Sequence, residues 1–110
     1  MIEGIYRINF HSTQDLGEGI IVASNGKING GDKFCVYRGT YTSENGATKA
    51  DVHVSLHNPA GVTVFGPQIK EFQLMLSGTA TGENFQLISQ IAEQPNLKMT
   101  LYGAKLSDLA

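Results

Sequence analysis

The most constraining feature of the sequence is a series of three short apolar runs between residues 17 and 41, separated by turn-forming residues. The dipeptide Asn25-Gly26 separates the first run from the second, and Gly30-Gly31-Asp32 separates the second from the third. Asn-Gly is the strongest local signal for a two-residue hairpin, because a type I′ turn needs a positive φ at both central positions. The sequence therefore predicts an antiparallel ribbon that folds back on itself at least twice.

The rest of the chain continues as short strands. The clearest lies at residues 49–57, where apolar residues alternate with polar ones, which is typical of a sheet with one face in water. The predicted strands are residues 6–11, 17–24, 27–30, 34–41, 49–57, 70–78, 85–90 and 97–106. The seventh of these also fits a short helix, and we prefer the strand because the hairpins on both sides need a partner.

Seven or eight short antiparallel strands joined by hairpins can form a sandwich or a closed barrel. The near absence of long crossover connections favours the barrel, and closure removes exposed sheet edges. Glycines at positions 19, 39, 78 and 103 fall where barrel strands must bend. The sequence therefore predicts one domain, residues 1–110, that is an all-β, eight-stranded antiparallel up-and-down lipocalin-like barrel. The connection at residues 58–68, with its apolar centre, is expected to pack across a barrel end.

Composition argues against several classes of function. The formal net charge is −2, and the eight Lys and Arg residues are spread singly, without the basic patch that nucleic-acid binding requires. A single cysteine, Cys35, excludes an internal disulfide and is typical of a reducing compartment. The chain opens without a secretory signal, and its longest apolar run is far shorter than the ~20 residues of a membrane helix. We expect a soluble cytoplasmic protein without direct nucleic-acid or membrane binding.

Residues with catalytic or metal-binding chemistry do not converge in this pattern. Asp51, His53 and Ser55 share one strand face, but side chains two positions apart on a strand lie about 6.8 Å apart and run parallel. His53 and His57 are separated by about 13 Å along the same strand, which is too far for one zinc ion. We therefore predict that the protein is not an enzyme and has no metal site and no cofactor.

Three further polar residues have simple structural interpretations. Cys35 lies inside a predicted strand and is expected to belong to the core. Asp32 is expected to bond the backbone of its own turn. Glu18, between two glycines, either faces solvent or points into the barrel towards a partner such as Arg7 or Arg38, and we prefer solvent.

The inward face of the strands carries enough aromatic and aliphatic side chains to fill a small barrel. An eight-stranded barrel is just wide enough inside for side chains or for one small ligand. A filled core is the preferred interpretation, and a cavity for an apolar ligand is the alternative. The residues predicted to line the lumen are Tyr6, Phe10, Tyr37, Phe72, Leu74 and Phe85.

Five short motifs occur together in residues 4–41. They are Gly4-Ile5-Tyr6, Gly17-Glu18-Gly19-Ile20, Asn25-Gly26, Ile28-Asn29-Gly30-Gly31-Asp32 and Val36-Tyr37-Arg38-Gly39. Their order and spacing resemble those of the GrlR family, lipocalin-like negative regulators of type III secretion in enteric pathogens. The similarity continues loosely through Val52-His53-Val54 and extends only to the general pattern beyond it.

The resemblance implies an eight-stranded barrel that forms a homodimer and binds a transcriptional activator, which keeps the activator from DNA. In that family an acidic loop after the fourth strand contacts the activator; here the corresponding residues, 42–48, contain one acidic residue, Glu44. The protein-interaction loop carried over by the resemblance is Ser43, Glu44, Asn45 and Gly46. The leading expectation is therefore a non-enzymatic, protein-binding regulator, and the alternative is a carrier of a small apolar ligand with residues 58–68 as its lid.

Overall fold

The computed structural model describes residues 1–12, 16–61, 69–90 and 98–110. Its elements are β1 (Gly4–Ser12), β2 (Leu16–Ser24), β3 (Lys27–Gly31), β4 (Cys35–Glu44), β5 (Ala47–Leu56), β6 (Glu71–Thr81), β7 (Asn84–Gln90) and β8 (Lys98–Ser107). Each strand pairs antiparallel with its sequence neighbour, and β8 pairs with β1, so the sheet closes into a barrel. The predicted eight-stranded up-and-down, lipocalin-like barrel is confirmed, and the seventh segment is a strand.

Tight turns join the strands at one end of the barrel, which we call the hairpin end. Asn25 and Gly26 have φ values of 57° and 76°, and Asn45 and Gly46 have φ values of 53° and 86°. Both pairs meet the type I′ requirement for two positive φ angles. The turn between β6 and β7 contains Gly82 at a φ of 60°. The opposite end, where β2, β4, β6 and β8 begin, is called the open end.

The core of the protein lies inside the barrel, because alternate residues of each strand point inward. In β5, for example, Ala50, Val52 and Val54 are buried while Asp51 is exposed, as the alternation predicted. The inward residues of β6 behave in the same way. Cys35 is buried and belongs to this core, which confirms its predicted place.

Glycines on the inward side allow the strands to coil closely. A Cβ atom at Gly39 would overlap the carbonyl oxygen of Asp51, and one at Gly78 would overlap that of Gln86. At Gly103 the added atom would overlap the Phe85 ring. These positions therefore accept no larger residue without a shift of the neighbouring strand or ring.

The fourth and fifth strands are longer than the sequence pattern indicated. They run to Glu44 and from Ala47, and their ladder includes the pair Ser43 and Thr48. The hydroxyl oxygens of this pair are 2.9 Å apart. The predicted loop 42–48 is therefore mostly strand, because a two-residue type I′ turn lets the ladder continue to the tip.

The prediction that residues 58–68 pack across a barrel end lies largely outside the described residues. The described part, residues 58–61, is a turn in which the Gly61 N–H donates to the Asn58 carbonyl at 2.9 Å. Within the described residues, no helix has the length and apolar character needed to cross a membrane.

Candidate functional site

The interior of the barrel contains a cavity of about 310 Å³. This volume is at the lower end of the ~300–1,000 Å³ range of small-molecule pockets. All eight strands contribute to its wall, and the apolar lining includes Ile8, Ile21, Ile28, Val52, Leu74 and Leu87. The interior is thus not filled as we preferred from the sequence, and the inward side chain of Ala50 is one of the small ones in the cavity wall.

Most of the residues predicted for the lumen contribute to the wall of this cavity. They are Phe10, Tyr37, Phe72, Leu74 and Phe85. Tyr6 is in the core beside it, 1% exposed, with its ring centroid 5.3 Å from that of Phe85. The Tyr6 hydroxyl donates a hydrogen bond of 2.5 Å to the Ile2 carbonyl oxygen, which satisfies its polar atom in the apolar interior.

The cavity reaches the surface at the open end, at a rim formed by the start of β2 and the β3–β4 connection. Leu16, which is 70% exposed, lies on this rim with Glu18 and Lys33. The Glu18 side chain is exposed, as preferred from the sequence. The Lys33 ammonium lies 5.6 Å from the centroid of the Phe34 ring, which also lines the cavity. The rim therefore combines apolar surface with charges of both signs.

Asp32 is the most highly connected polar residue of the cavity wall. Its Oδ1 accepts hydrogen bonds from the backbone N–H groups of Phe34 at 2.8 Å and Cys35 at 2.7 Å, which confirms the predicted turn role. Its Oδ2 accepts a hydrogen bond from the Tyr37 hydroxyl. Its carbonyl oxygen lies 3.0 Å from Nε2 of His57. These bonds fix one carboxylate in the cavity wall.

Two titratable groups of β4 line the cavity, the Cys35 thiol and the Tyr37 hydroxyl, and the pKa of each is raised. Burial raises the pKa of the Tyr37 hydroxyl far above its usual value, and the hydrogen bond to Asp32 and its charge act in the same direction. Burial and then the charge of Asp32 raise the pKa of the Cys35 thiol to about 11. At neutral pH the site thus presents a hydroxyl and a thiol; because the thiolate is the nucleophilic form, Cys35 is a weak nucleophile there.

Asp51 and His53 lie on the outer surface of β5, away from the cavity. The side chain of Gln73 connects them: its Oε1 is 3.1 Å from His53 Nδ1, and its Nε2 donates to Asp51 Oδ1 at 2.5 Å. Glu71 Oε2 is 3.7 Å from His53 Nε2. This is a row of surface contacts across two strands. Among the described residues, no three His, Cys, Asp or Glu side chains are grouped to hold a metal ion.

The protein-interaction loop carried over from the family is the tip of the β4–β5 hairpin. Ser43, Glu44 and Asn45 are exposed there. Ser43 Oγ accepts a 2.5 Å hydrogen bond from the Met1 ammonium group. The tip belongs to the hairpin end, so it lies at the opposite end of the barrel from the rim of the cavity.

A cluster of exposed apolar side chains on β6, β7 and β8 was not identified from the sequence. Met75, Ile88 and Tyr102 are 62%, 49% and 43% exposed on the outer surface of the barrel. Ile88 lies opposite Ser77 and Thr100, so its immediate cross-strand neighbours are uncharged. The available signal was an apolar residue at an outward position of each strand, where alternation predicts a polar one.

Comparison with models of protein families found no match to the chain. A comparison with curated proteins found none either. Similarity does not establish a family here, and the GrlR resemblance remains an expectation based on the motifs within residues 4–41.

Proposed function

We propose that the protein is a non-enzymatic binding protein that holds one small apolar molecule inside its barrel. The observation that carries this proposal is the cavity of about 310 Å³, with apolar side chains on its wall and a rim at the surface. An apolar molecule that enters this space leaves water and gains dispersion contacts with the surrounding side chains. Fixed polar groups at one end, such as Asp32, are typical of sites that also orient a ligand.

The volume limits the size of the ligand. The cavity lies at the lower end of the range of small-molecule pockets, so it suits a small ligand. Naphthalene, a small fluorescent hydrocarbon, is therefore a suitable probe.

Two adjacent isoleucines provide a matched test. Ile21 lines the cavity, whereas Ile20 is 43% exposed on the outer surface. We expect wild-type protein and the Ile20→Trp variant to bind naphthalene, measured by its fluorescence, and the Ile21→Trp variant to lose binding because the indole fills the space. Circular dichroism checks that each variant is folded. Wild-type protein that fails to bind, or equal binding by a folded Ile21→Trp variant, would contradict the proposal.

Cys35 supplies an independent measurement without any substitution. It is the chain's only cysteine, and it lines the cavity. We expect naphthalene to slow its alkylation by N-ethylmaleimide, followed by mass spectrometry, because an occupied cavity excludes the reagent. An unchanged rate at naphthalene concentrations that saturate the fluorescence signal would place the bound probe elsewhere.

A second function is proposed from the motif series: a cytoplasmic homodimeric regulator, similar to the GrlR family, that sequesters a transcriptional activator of type III secretion. Two observations support it. Ser43, Glu44 and Asn45 are exposed at the hairpin tip. The cluster of Met75, Ile88 and Tyr102 is suited to self-association because burial of exposed apolar side chains favours an interface. In this proposal the protein binds neither DNA nor a membrane directly.

Sedimentation velocity and affinity capture test this second function. The Ile88→Glu variant is expected to convert a dimer into a monomer, whereas Thr40→Glu, an exposed position on β4, is expected to leave it unchanged. Capture of a DNA-binding activator from native lysate is expected with wild-type protein and not with a Glu44→Lys variant. A wild-type protein that is strictly monomeric and captures no activator would rule this function out.

A further inference from the structure

The polar part of the cavity wall consists mainly of hydrogen-bond acceptors. An ionised carboxylate has about four lone-pair positions. Among the described residues, Asp32 receives three hydrogen bonds: two from backbone N–H groups and one from Tyr37. These contacts use three of the about four acceptor positions of a carboxylate that lines the cavity.

Tyr37 adds a second acceptor. Its hydroxyl hydrogen is committed to Asp32, so only the lone pairs of the oxygen are offered to a ligand. The raised pKa of this hydroxyl keeps it protonated, and thus bonded to Asp32, throughout the neutral range. The hydroxyl lies beside Gly19, where a Cβ atom would approach it to 3.1 Å, and Tyr37 lines the cavity.

The charge of Asp32 favours the same chemistry. The lining of the cavity includes two carboxylates, Glu18 and Asp32, and two ammonium groups, those of Lys33 and of the Met1 terminus, so the formal charges balance. Asp32 is the carboxylate that is bonded to Tyr37 in the wall. A ligand carboxylate beside Tyr37 would meet the like charge of Asp32, whereas a hydroxyl or an ammonium would donate to the two acceptors. We propose that the cavity selects a small amphiphile whose polar end is a hydrogen-bond donor, a hydroxyl or an ammonium, over one that ends in a carboxylate. This inference rests on the proposed ligand-binding function.

Three naphthalene derivatives that share one ring system test this selection: 2-naphthylmethanol, 2-naphthylmethylamine and 2-naphthoate. We expect the alcohol and the amine to bind at least about tenfold more tightly than the carboxylate, which is the typical effect of one hydrogen bond to a charged group. The Asp32→Asn variant is expected to reduce the preference for the amine over the carboxylate by about tenfold. The Asn side-chain oxygen can still accept the loop N–H bonds, so the loop is retained.

Asp51→Asn is the matched control, because it makes the same chemical change on the outer surface and is expected to leave the preference unchanged. Tyr37→Phe is a second test, with an expected loss of affinity for the alcohol of about threefold or more. The affinities of the three derivatives for wild-type protein test the head-group preference even if a variant fails to fold. Equal affinities, or tightest binding of 2-naphthoate, overturn the head-group inference while the cavity remains a ligand site. Failure of all three derivatives and of naphthalene itself overturns the proposed function instead.

Discussion

Cys35 and Tyr37, two positions apart on the inward face of β4, make the stability of the barrel depend on pH. Both have pKa values raised above their ordinary values of 9.0 and 10.0, that of Cys35 to about 11. At a pH between the ordinary pKa of each group and its raised pKa, the folded chain binds more protons than the unfolded chain. The contribution of Cys35 is therefore complete below about pH 9 and is lost as the pH rises towards about 11. The contribution of Tyr37 begins to fall only above its ordinary pKa of 10.0.

Urea unfolding at a series of pH values measures this effect. We expect the free energy of unfolding to fall steadily above about pH 9, with a shallower fall in the Cys35→Ala variant, which lacks one of the groups whose pKa the fold raises. A stability that is constant or rises over this window would show that these groups are not held protonated by the fold.

For single residues, local chemistry predicts the role or burial of a side chain better than it predicts which other side chains it contacts. The turn role of Asp32 follows from the ability of an Asp side chain to bond nearby N–H groups, and the burial of Cys35 follows from its strand. The contact between Asp32 and Tyr37 depends on the orientation of β4 relative to the turn before it, and local sequence patterns do not predict that orientation. The cavity volume depends on the sum of all inward side chains against the barrel radius, so neither was predictable from one segment.

At the scale of the strands, two glycines are required for different reasons, one for a left-handed backbone and the other for the close approach of two strands. Gly82 has a φ of 60° with nothing within 4 Å of an added Cβ atom, whereas at Gly39 the Cβ would overlap the Asp51 carbonyl oxygen. We expect Gly82→Ala to cost about 1–2 kcal/mol of unfolding free energy, from the left-handed backbone alone. Gly39→Ala is expected to cost more than about 3 kcal/mol or to prevent folding, because strands β4 and β5 must separate.

Urea unfolding of the two variants in parallel checks this difference. Similar costs for both substitutions would mean that β5 moves away from β4 at little expense. Wild-type stability in the Gly39→Ala variant would contradict the close approach of the two strands.

Strand identity was predictable from the sequence because period-two alternation and Asn-Gly turns are local signals. All eight strands are found, and β7 shows that its hairpin neighbours outweighed a competing helical pattern. The end of β4 was predicted too early and the start of β5 too late, since the polar residues near the tip are typical of a loop. A ladder can continue through such residues when a two-residue turn holds both strands in register.

At the scale of the molecule, closure between β1 and β8 is expected to be essential for cooperative folding. Removal of residues 98–110 would leave β1 and β7 each with an unpaired edge and would open the core to water. We expect this truncated chain to lose its cooperative urea transition and to aggregate. Removal of residues 108–110 alone, which lie beyond β8, is expected to preserve the transition. Cooperative unfolding of the larger deletion would show that the barrel does not need its last strand.

The pairing of Ile5 with Ser107 also determines when the barrel can form during synthesis. The first strand leaves the ribosome long before its partner exists, and contacts between such distant residues are slow to form. Throughout that interval β1 carries an open row of backbone donors and acceptors beside a growing apolar ribbon. The nascent chain is therefore a natural client for chaperones that shield strand edges, and slower translation would lengthen its dependence on them.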